Sequence, residues 1–206
     1  MPRIDTDAKR RDVALAAVRV IAAGGMDALT IRAVADVMES SISVVQYYFK
    51  NKHDLLVFTH EILALNSEVR FRAALAARPL DLFHLLSALM PLTEARRMSA
   101  KVWHAYAATA SLDPGFLEKV RAITSLMRRS IGECLRANAG TPGIRRDMDI
   151  ERVSRRLLTF VYGVALEAQF NSADWPVDLQ RRALSDTIRD LTGLDYPPEN
   201  PIWSEP

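Results

Sequence analysis

The chain has 206 residues, of which 49% are hydrophobic and 25% are charged, with a formal net charge of +2. This is the composition of an ordinary globular protein, and it excludes disordered, collagen-like and disulfide-rich classes. Basic residues exceed acidic ones by only two, so the overall charge alone does not indicate a nucleic-acid-binding protein.

The single cysteine, Cys134, cannot form an internal disulfide, and no Cys/His cluster has the spacing of a zinc site. We therefore expect no metal and no cofactor. Residues 1–9 lack the apolar core of a signal peptide, and the most apolar stretch, 157–170, is interrupted by Tyr162, Gly163 and Glu167. The sequence predicts a cytoplasmic protein without a membrane partner.

Helical spacing of Ala, Leu and Arg, together with the lack of alternating β-branched runs, predicts an all-α fold. The first helix is expected at about 6–23 and is stopped by Gly24-Gly25. A short second helix begins at Thr30, which is a plausible N-cap. A third spans roughly 41–49, and a long fourth helix opens at Asn51.

Beyond Arg78-Pro79 the helices become longer, and Asp113-Pro114 and Asp174-Trp175-Pro176 are typical helix starts. The expected body helices are 80–95, 97–111, 114–137, 149–171 and 177–192. We predict a three-helix head at 1–55, a larger helical body at 56–194 and an extended, proline-rich tail at 195–206.

The head has the spacing of a helix-turn-helix unit. Val45 and Phe49, four residues apart, predict an apolar underside for the third helix. The other side chains of this helix would then be available to base edges or phosphates: Ser41, Ser43, Gln46 and Tyr47. Lys52, at a helix N-terminus, suits a phosphate. The alternative is a small polar helix packed in an ordinary helical protein.

Charge in the head does not decide between these interpretations, because residues 1–55 contain eight basic and seven acidic side chains. The basic residues that could share one face are Lys9, Arg10, Arg11, Arg32, Lys50 and Lys52.

Two segments of the head, 25–35 (GMDALTIRAVA) and 47–56 (YYFKNKHDLL), resemble the TetR family of bacterial transcriptional regulators. The body is similar to the subgroup that contains the choline-responsive repressor of betaine synthesis, through LMPL at 89–92 and VWHAY at 102–106. The resemblance implies that Thr30, Tyr48 and Lys52 contact phosphates. It also implies that five residues at the third helix face the major groove: Ser41, Ile42, Ser43, Gln46 and Tyr47.

The chain departs from the family pattern at three positions. Glu39 stands where the turn glycine is usual, at a position that favours positive φ. The glutamate also brings a negative charge near DNA. Ser43 replaces a glycine and Gln46 a tyrosine within the third helix. The last two departures predict a changed operator sequence.

Aromatic and methionine side chains of the body are candidates for an effector cavity with few polar groups. The candidates are Met90, Trp103, Tyr106, Phe116, Met127, Tyr162, Glu167 and Phe170. The alternative for each is plain core. Trp and Tyr can hold a quaternary ammonium, but the same residues suit many apolar effectors, so the effector stays unidentified.

The helices 149–171 and 177–192 carry more apolar surface than one core face requires, which predicts a four-helix dimer interface; closure of the monomer's own core is the alternative. We expect a dimeric, ligand-responsive DNA-binding regulator, most simply a repressor released from a palindromic operator by a small molecule. A helical adaptor and a small all-α enzyme are the alternatives, although no catalytic arrangement is recognisable.

Overall fold

The computed structural model describes residues 3–77, 81–110 and 114–196, and within these ranges every regular element is a helix. The helices are α1 Arg3–Ala28, α2 Ile31–Val37, α3 Ile42–Tyr48, α4 Lys52–Ala77, α5 Leu82–Ser87, α6 Glu94–Ala110, α7 Pro114–Ala137, α8 Ile150–Phe170 and α9 Val177–Thr192. The predicted all-α fold is confirmed.

Residues at the predicted helix ends act largely as expected. Gly25 breaks the helical geometry of α1 with φ 74° and ψ −173°, so residues 26–28 follow a kink. Thr30 caps α2, and its hydroxyl oxygen accepts a hydrogen bond from the amide of Ala33 at 3.0 Å. Asn51 accepts from the amide of Asp54 at 2.9 Å and so caps α4.

The predicted helix 80–95 is wrong in its extent. In the described residues α5 ends at Ser87, and residues 88–93 form a turn before α6 begins. Pro91 has no amide hydrogen and disfavours helical geometry in the residue before it, so one helix cannot run through this segment. Thr93 then accepts a hydrogen bond from the amide of Arg96 at 3.3 Å and starts α6.

The described residues group into two compact units. The first lies within Met1–Asn66 and Met98–Leu117, and the second within Ser67–Arg97 and Glu118–Pro206. The predicted boundary at residue 55 stays a prediction. Positions 78–80 and 111–113, and the predicted tail from residue 197 onward, lie outside the described residues.

The second unit is built around one apolar core to which α5, α7, α8 and α9 each contribute. Leu85, Ile131, Leu157 and Ile188 are fully or almost fully buried within it. Cys134 belongs to the same core, and burial raises the pKa of its thiol to about 11. The thiol therefore packs as a small apolar group and is protonated near neutral pH.

Candidate nucleic-acid interface

Helix α3 is held in the first unit by the two side chains predicted to form its underside. Val45 is 0% exposed and Phe49 is 1% exposed, which confirms the sequence prediction. The Phe49 ring lies 5.5 Å from the ring of Phe58 on α4. The guanidinium of Arg10 stands 5.1 Å from the first ring and 4.3 Å from the second. These contacts fix which face of α3 points outward.

The opposite face of α3 is open to solvent. Its exposed residues are Ser41, Ile42, Ser43, Val44, Gln46 and Tyr47, and Tyr47 is 78% exposed. The hydroxyls of Ser41 and Ser43 are hydrogen-bonded to each other at 2.7 Å. Hydroxyl, amide and phenol groups on one exposed helical face can read base edges in a major groove.

Sequence reasoning missed Val44 as part of this face. Adjacent positions of a helix are turned by about 100° from each other, so Val44 and the buried Val45 cannot share the underside. That spacing was the available signal. An exposed valine can contact the methyl group of thymine.

The predicted phosphate contacts lie around the ends of the short helices. Thr30 uses its oxygen as a cap, which leaves its hydroxyl hydrogen able to donate to a phosphate. Arg32 is exposed one residue into α2. Tyr48 is half-buried, with its ring edge-on to that of Tyr47 at 5.0 Å.

Lys52 has a structural contact that the sequence did not indicate. Its ammonium donates a hydrogen bond to the carbonyl of Met26 at 3.0 Å, so it links the start of α4 to the end of α1. An ammonium has three N–H donors. A phosphate contact by the remaining donors is compatible with this bond and stays a prediction.

Glu39 has φ 52°, and it is the only non-glycine residue with positive φ among the described residues. It follows α2 in the turn that leads to α3, where its amide donates to the carbonyl of Asp36 at 3.1 Å. The turn therefore keeps the left-handed geometry expected of a glycine while carrying a glutamate. Left-handed backbone costs a residue with a Cβ atom about 1–2 kcal/mol.

We expect Glu39→Gly to raise the free energy of unfolding by up to about 1 kcal/mol. Glycine relieves the strain of the left-handed backbone, and this gain exceeds the entropy cost of glycine. It should also tighten binding to all DNA sequences by removing a negative charge near the phosphates. Chemical denaturation and DNA titration measure the two effects. Glu39→Gln is the matched control: it should tighten DNA binding and leave stability unchanged. A Glu39→Gly protein less stable than the Gln variant would contradict the strain argument.

The predicted effector residues fall into several settings. In the first unit, Trp103 is half-buried and stacks on the buried His60 at 5.2 Å. Tyr106 is buried and donates its hydroxyl to the carbonyl of Leu56, and burial raises its pKa. In the second unit, Tyr162 donates to the sulfur of the buried Met127 at 3.6 Å.

Among the other four candidates, Met90 belongs to the same core as Met127, against which Tyr162 packs. Met90 is fully buried in the core of the second unit. Glu167 is exposed, so its carboxylate is solvated. Phe170 is 78% exposed. The side chain of Phe116 lies outside the described ones.

The described ranges hold neither a metal-binding cluster nor a membrane-spanning helix. No group of three or more His, Cys, Asp or Glu side chains within these ranges is arranged to hold a metal ion. Among the helices of the described chain, none combines the length and apolar character needed to cross a bilayer.

Two family models match separate segments of the chain. Residues 15–57 match the model of bacterial regulatory proteins of the tetR family, and residues 81–193 match the C-terminal region of BetI-type transcriptional repressors. The second match alone covers more than half of the chain. The chain belongs to the TetR family. The resemblance noted in the sequence is thereby confirmed, including its BetI-type body.

Individual relatives agree with this assignment. The chain is 25% identical to the HTH-type transcriptional regulator PksA of Bacillus subtilis over 204 residues, covering 93% of this chain and 94% of that protein. A transcriptional regulator from Rhodococcus sp. Rha1 is 28% identical with a TM-score of 0.77, covering 91% of this chain and 99% of its own. The family consists of transcriptional regulators, so this chain is a regulator and not an enzyme.

A third relative shows the same fold. A regulator from Saccharomonospora viridis, solved in complex with choline, is 21% identical with a TM-score of 0.79. The match covers 90% of this chain and 98% of that one.

Proposed function

We propose that this TetR-family regulator is a homodimeric repressor that binds a palindromic operator and is released by a small-molecule effector in the bacterial cytoplasm. The observation that carries the DNA-binding part is the open face of α3 above a fully buried underside of Val45 and Phe49. A recognition helix needs this combination, because the buried side fixes the direction in which the exposed side chains point.

The dimer is proposed through α8 and α9, which pack together in the second unit. Both helices bury one stripe in the core and still carry exposed apolar side chains: Leu166 and Phe170 on α8, and Leu179 on α9. Leu166 and Phe170 are four residues apart and share a face. Two such helices from each chain would bury these groups in a four-helix interface.

A two-fold dimer would present its two α3 helices to successive major grooves, roughly 34–36 Å apart or a multiple of that distance. The effector would act by binding more tightly to dimers whose α3 helices fit the operator poorly. Effector binding then shifts the population away from the DNA-bound form.

The test of this function is selection of bound duplexes from a random DNA pool by the purified protein at physiological salt. Enrichment of a palindrome with half-sites about one helical turn apart is expected. Sedimentation of the protein alone should give twice the monomer mass. A folded dimer that enriches no sequence would contradict operator recognition and would favour the adaptor alternative.

Gln46 is expected to read a base, and Gln46→Ala should weaken operator binding by about 1–3 kcal/mol while relaxing specificity at one position of each half-site. Lys52→Ala serves as the comparison, because loss of a phosphate contact should weaken all sequences alike and lower the salt slope by about one. Titrations of operator and scrambled duplexes at several salt concentrations separate the two. An unchanged preference for operator in the Gln46 variant would remove Gln46 from the set of base-reading residues.

A further inference from the structure

A cavity of about 330 Å³ lies within the second unit and is separate from the aromatic residues considered above. Its wall is formed by the end of α4, by α5, by residues up to the first turn of α6, and by α9. Three arginines line it: Arg70, Arg96 and Arg181. We call this space the arginine cavity.

Arg70 and Arg96 bring two positive charges to the arginine cavity, and no carboxylate stands beside them among the described lining residues. No acidic side chain is among the described residues that line it. Burial lowers the pKa of Arg70, and the neighbouring charge of Arg96 lowers it further. The pKa of Arg96 is lowered in the same way, by burial and then by Arg181. A guanidinium stays charged at neutral pH, so the folded chain holds these like charges together at a cost.

The hydrogen bonds of Arg70 and Arg96 go to neutral groups. Arg70 donates through Nη2 to the hydroxyl of Ser67 at 3.0 Å, and Arg96 donates through Nη1 to the carbonyl of Ser87 at 3.2 Å. Neither bond neutralises a positive charge. The two half-buried guanidinium groups therefore lack a counter-ion among the described lining residues.

Two polar atoms at the cavity are buried without a hydrogen-bond partner in the described part of the chain. They are the Nε of Arg70 and the hydroxyl oxygen of Ser87. A buried donor without a partner destabilises the folded chain, because it has lost its hydrogen bonds to water. A bound molecule with acceptor oxygens would satisfy these groups and the excess charge together.

The remainder of the wall is largely apolar, with Phe83 and Leu92 next to three alanines of α4 and Ala88 just after α5. A bare inorganic ion would leave this surface without a partner. A cation is disfavoured by the arginines. Guanidinium groups match the planar geometry of a carboxylate and can bind it with two parallel hydrogen bonds.

We propose that the arginine cavity binds a small amphipathic monocarboxylate, with its carboxylate against Arg70 and Arg96 and its apolar part against Phe83 and Leu92. A volume near 330 Å³ is at the small end of ligand pockets and suits a short-chain acid. The proposal rests on the proposed function insofar as this carboxylate is the effector that releases DNA.

The direct test is calorimetric titration of the full chain with hexanoate and octanoate. The uncharged 1-octanol, the cationic octylamine and inorganic sulfate serve as ligand controls. We expect saturable binding of at least one carboxylate and at least about tenfold weaker binding of the three control ligands. Equal binding of octanol would mean that only the apolar wall is used, and equal binding of sulfate would mean that only a bare-anion site exists. Either result, or no carboxylate binding, would overturn the proposal.

Substitution of the arginines provides the second test. Arg70→Gln and Arg96→Gln should each weaken carboxylate binding about tenfold or more. Arg182→Gln is the matched control, because Arg182 lies on α9 next to Arg181 and does not line the cavity. Without ligand, Arg96→Gln should unfold at the same or a higher temperature, since a repulsive charge is removed. Unchanged carboxylate affinity in both variants would overturn the assignment.

Failure of this inference is distinguishable from failure of the proposed function. Both glutamine variants should bind the selected operator like the wild type when no ligand is present. Operator binding without any carboxylate binding would overturn only the arginine cavity. Carboxylate binding without selective DNA binding would support the cavity as a ligand site and contradict the repressor function.

Discussion

Replacing Phe49 by alanine is expected to lower the stability of the first unit by about 3–5 kcal/mol and to abolish operator binding. The ring is 1% exposed and packs on Phe58. Truncation leaves a cavity under α3 and removes the ring on which the Arg10 guanidinium is stacked. A loss of this size is comparable with the whole stability of many small domains, so α3 would lose its fixed orientation.

Amide hydrogen exchange of residues 10–58 and operator titration measure the two effects of Phe49→Ala. Tyr47→Ala is the matched control, because Tyr47 is an aromatic residue two positions away with 78% of its surface exposed. The control should change stability by no more than about 0.5 kcal/mol while weakening DNA binding. Phe49→Leu should restore most of the protection. A Phe49→Ala protein that binds operator like the wild type would show that the orientation of α3 does not depend on this ring.

The head was predictable because its determinants are local. Val45 and Phe49 are four residues apart, and one helix turn suffices to predict that they share a buried face. The left-handed turn at Glu39 was indicated by the family pattern, which has a glycine there, and the structure has φ 52° at this residue. In both cases the relevant geometry is set by residues within a few positions of each other.

The body was less predictable because its features depend on contacts between distant segments. The helix predicted over 80–95 runs through Pro91, whereas a turn at 88–93 separates α5 from α6 in the structure. Trp103 and Met127 belong to different compact units, so no local sequence pattern connects them, and their place in one effector cavity stays a prediction. No sequence period links Arg70, Arg96 and Arg181, so the arginine cavity was found only from the structure.

Gly193 makes a close backbone contact in the second unit. It ends α9 in the left-handed conformation, with φ 81°, and its amide donates to the carbonyl of Arg189 at 2.8 Å. A Cβ atom at this position would overlap the carbonyl oxygen of Gly143. The adjacent amide of Arg145 donates to the carbonyl of Thr192 at 2.8 Å, so the loop before α8 is tied to the end of α9.

Gly193→Ala is therefore expected to destabilise the second unit by about 2–4 kcal/mol, combining left-handed strain with loss of the backbone hydrogen bond from Arg145. Gly140→Ala is the matched control. Gly140 has no positive φ, and a Cβ atom added there would meet nothing within 4 Å, so alanine should be neutral or stabilise by up to about 1 kcal/mol.

Thermal unfolding compares the two variants, and sedimentation at low concentration tests the proposed dimer. Because α8 and α9 form the proposed interface, Gly193→Ala should also weaken the dimer. Its dimer dissociation constant should be larger than that of Gly140→Ala. Equal stability of the two alanine variants would contradict the role assigned to the Gly143–Gly193 contact.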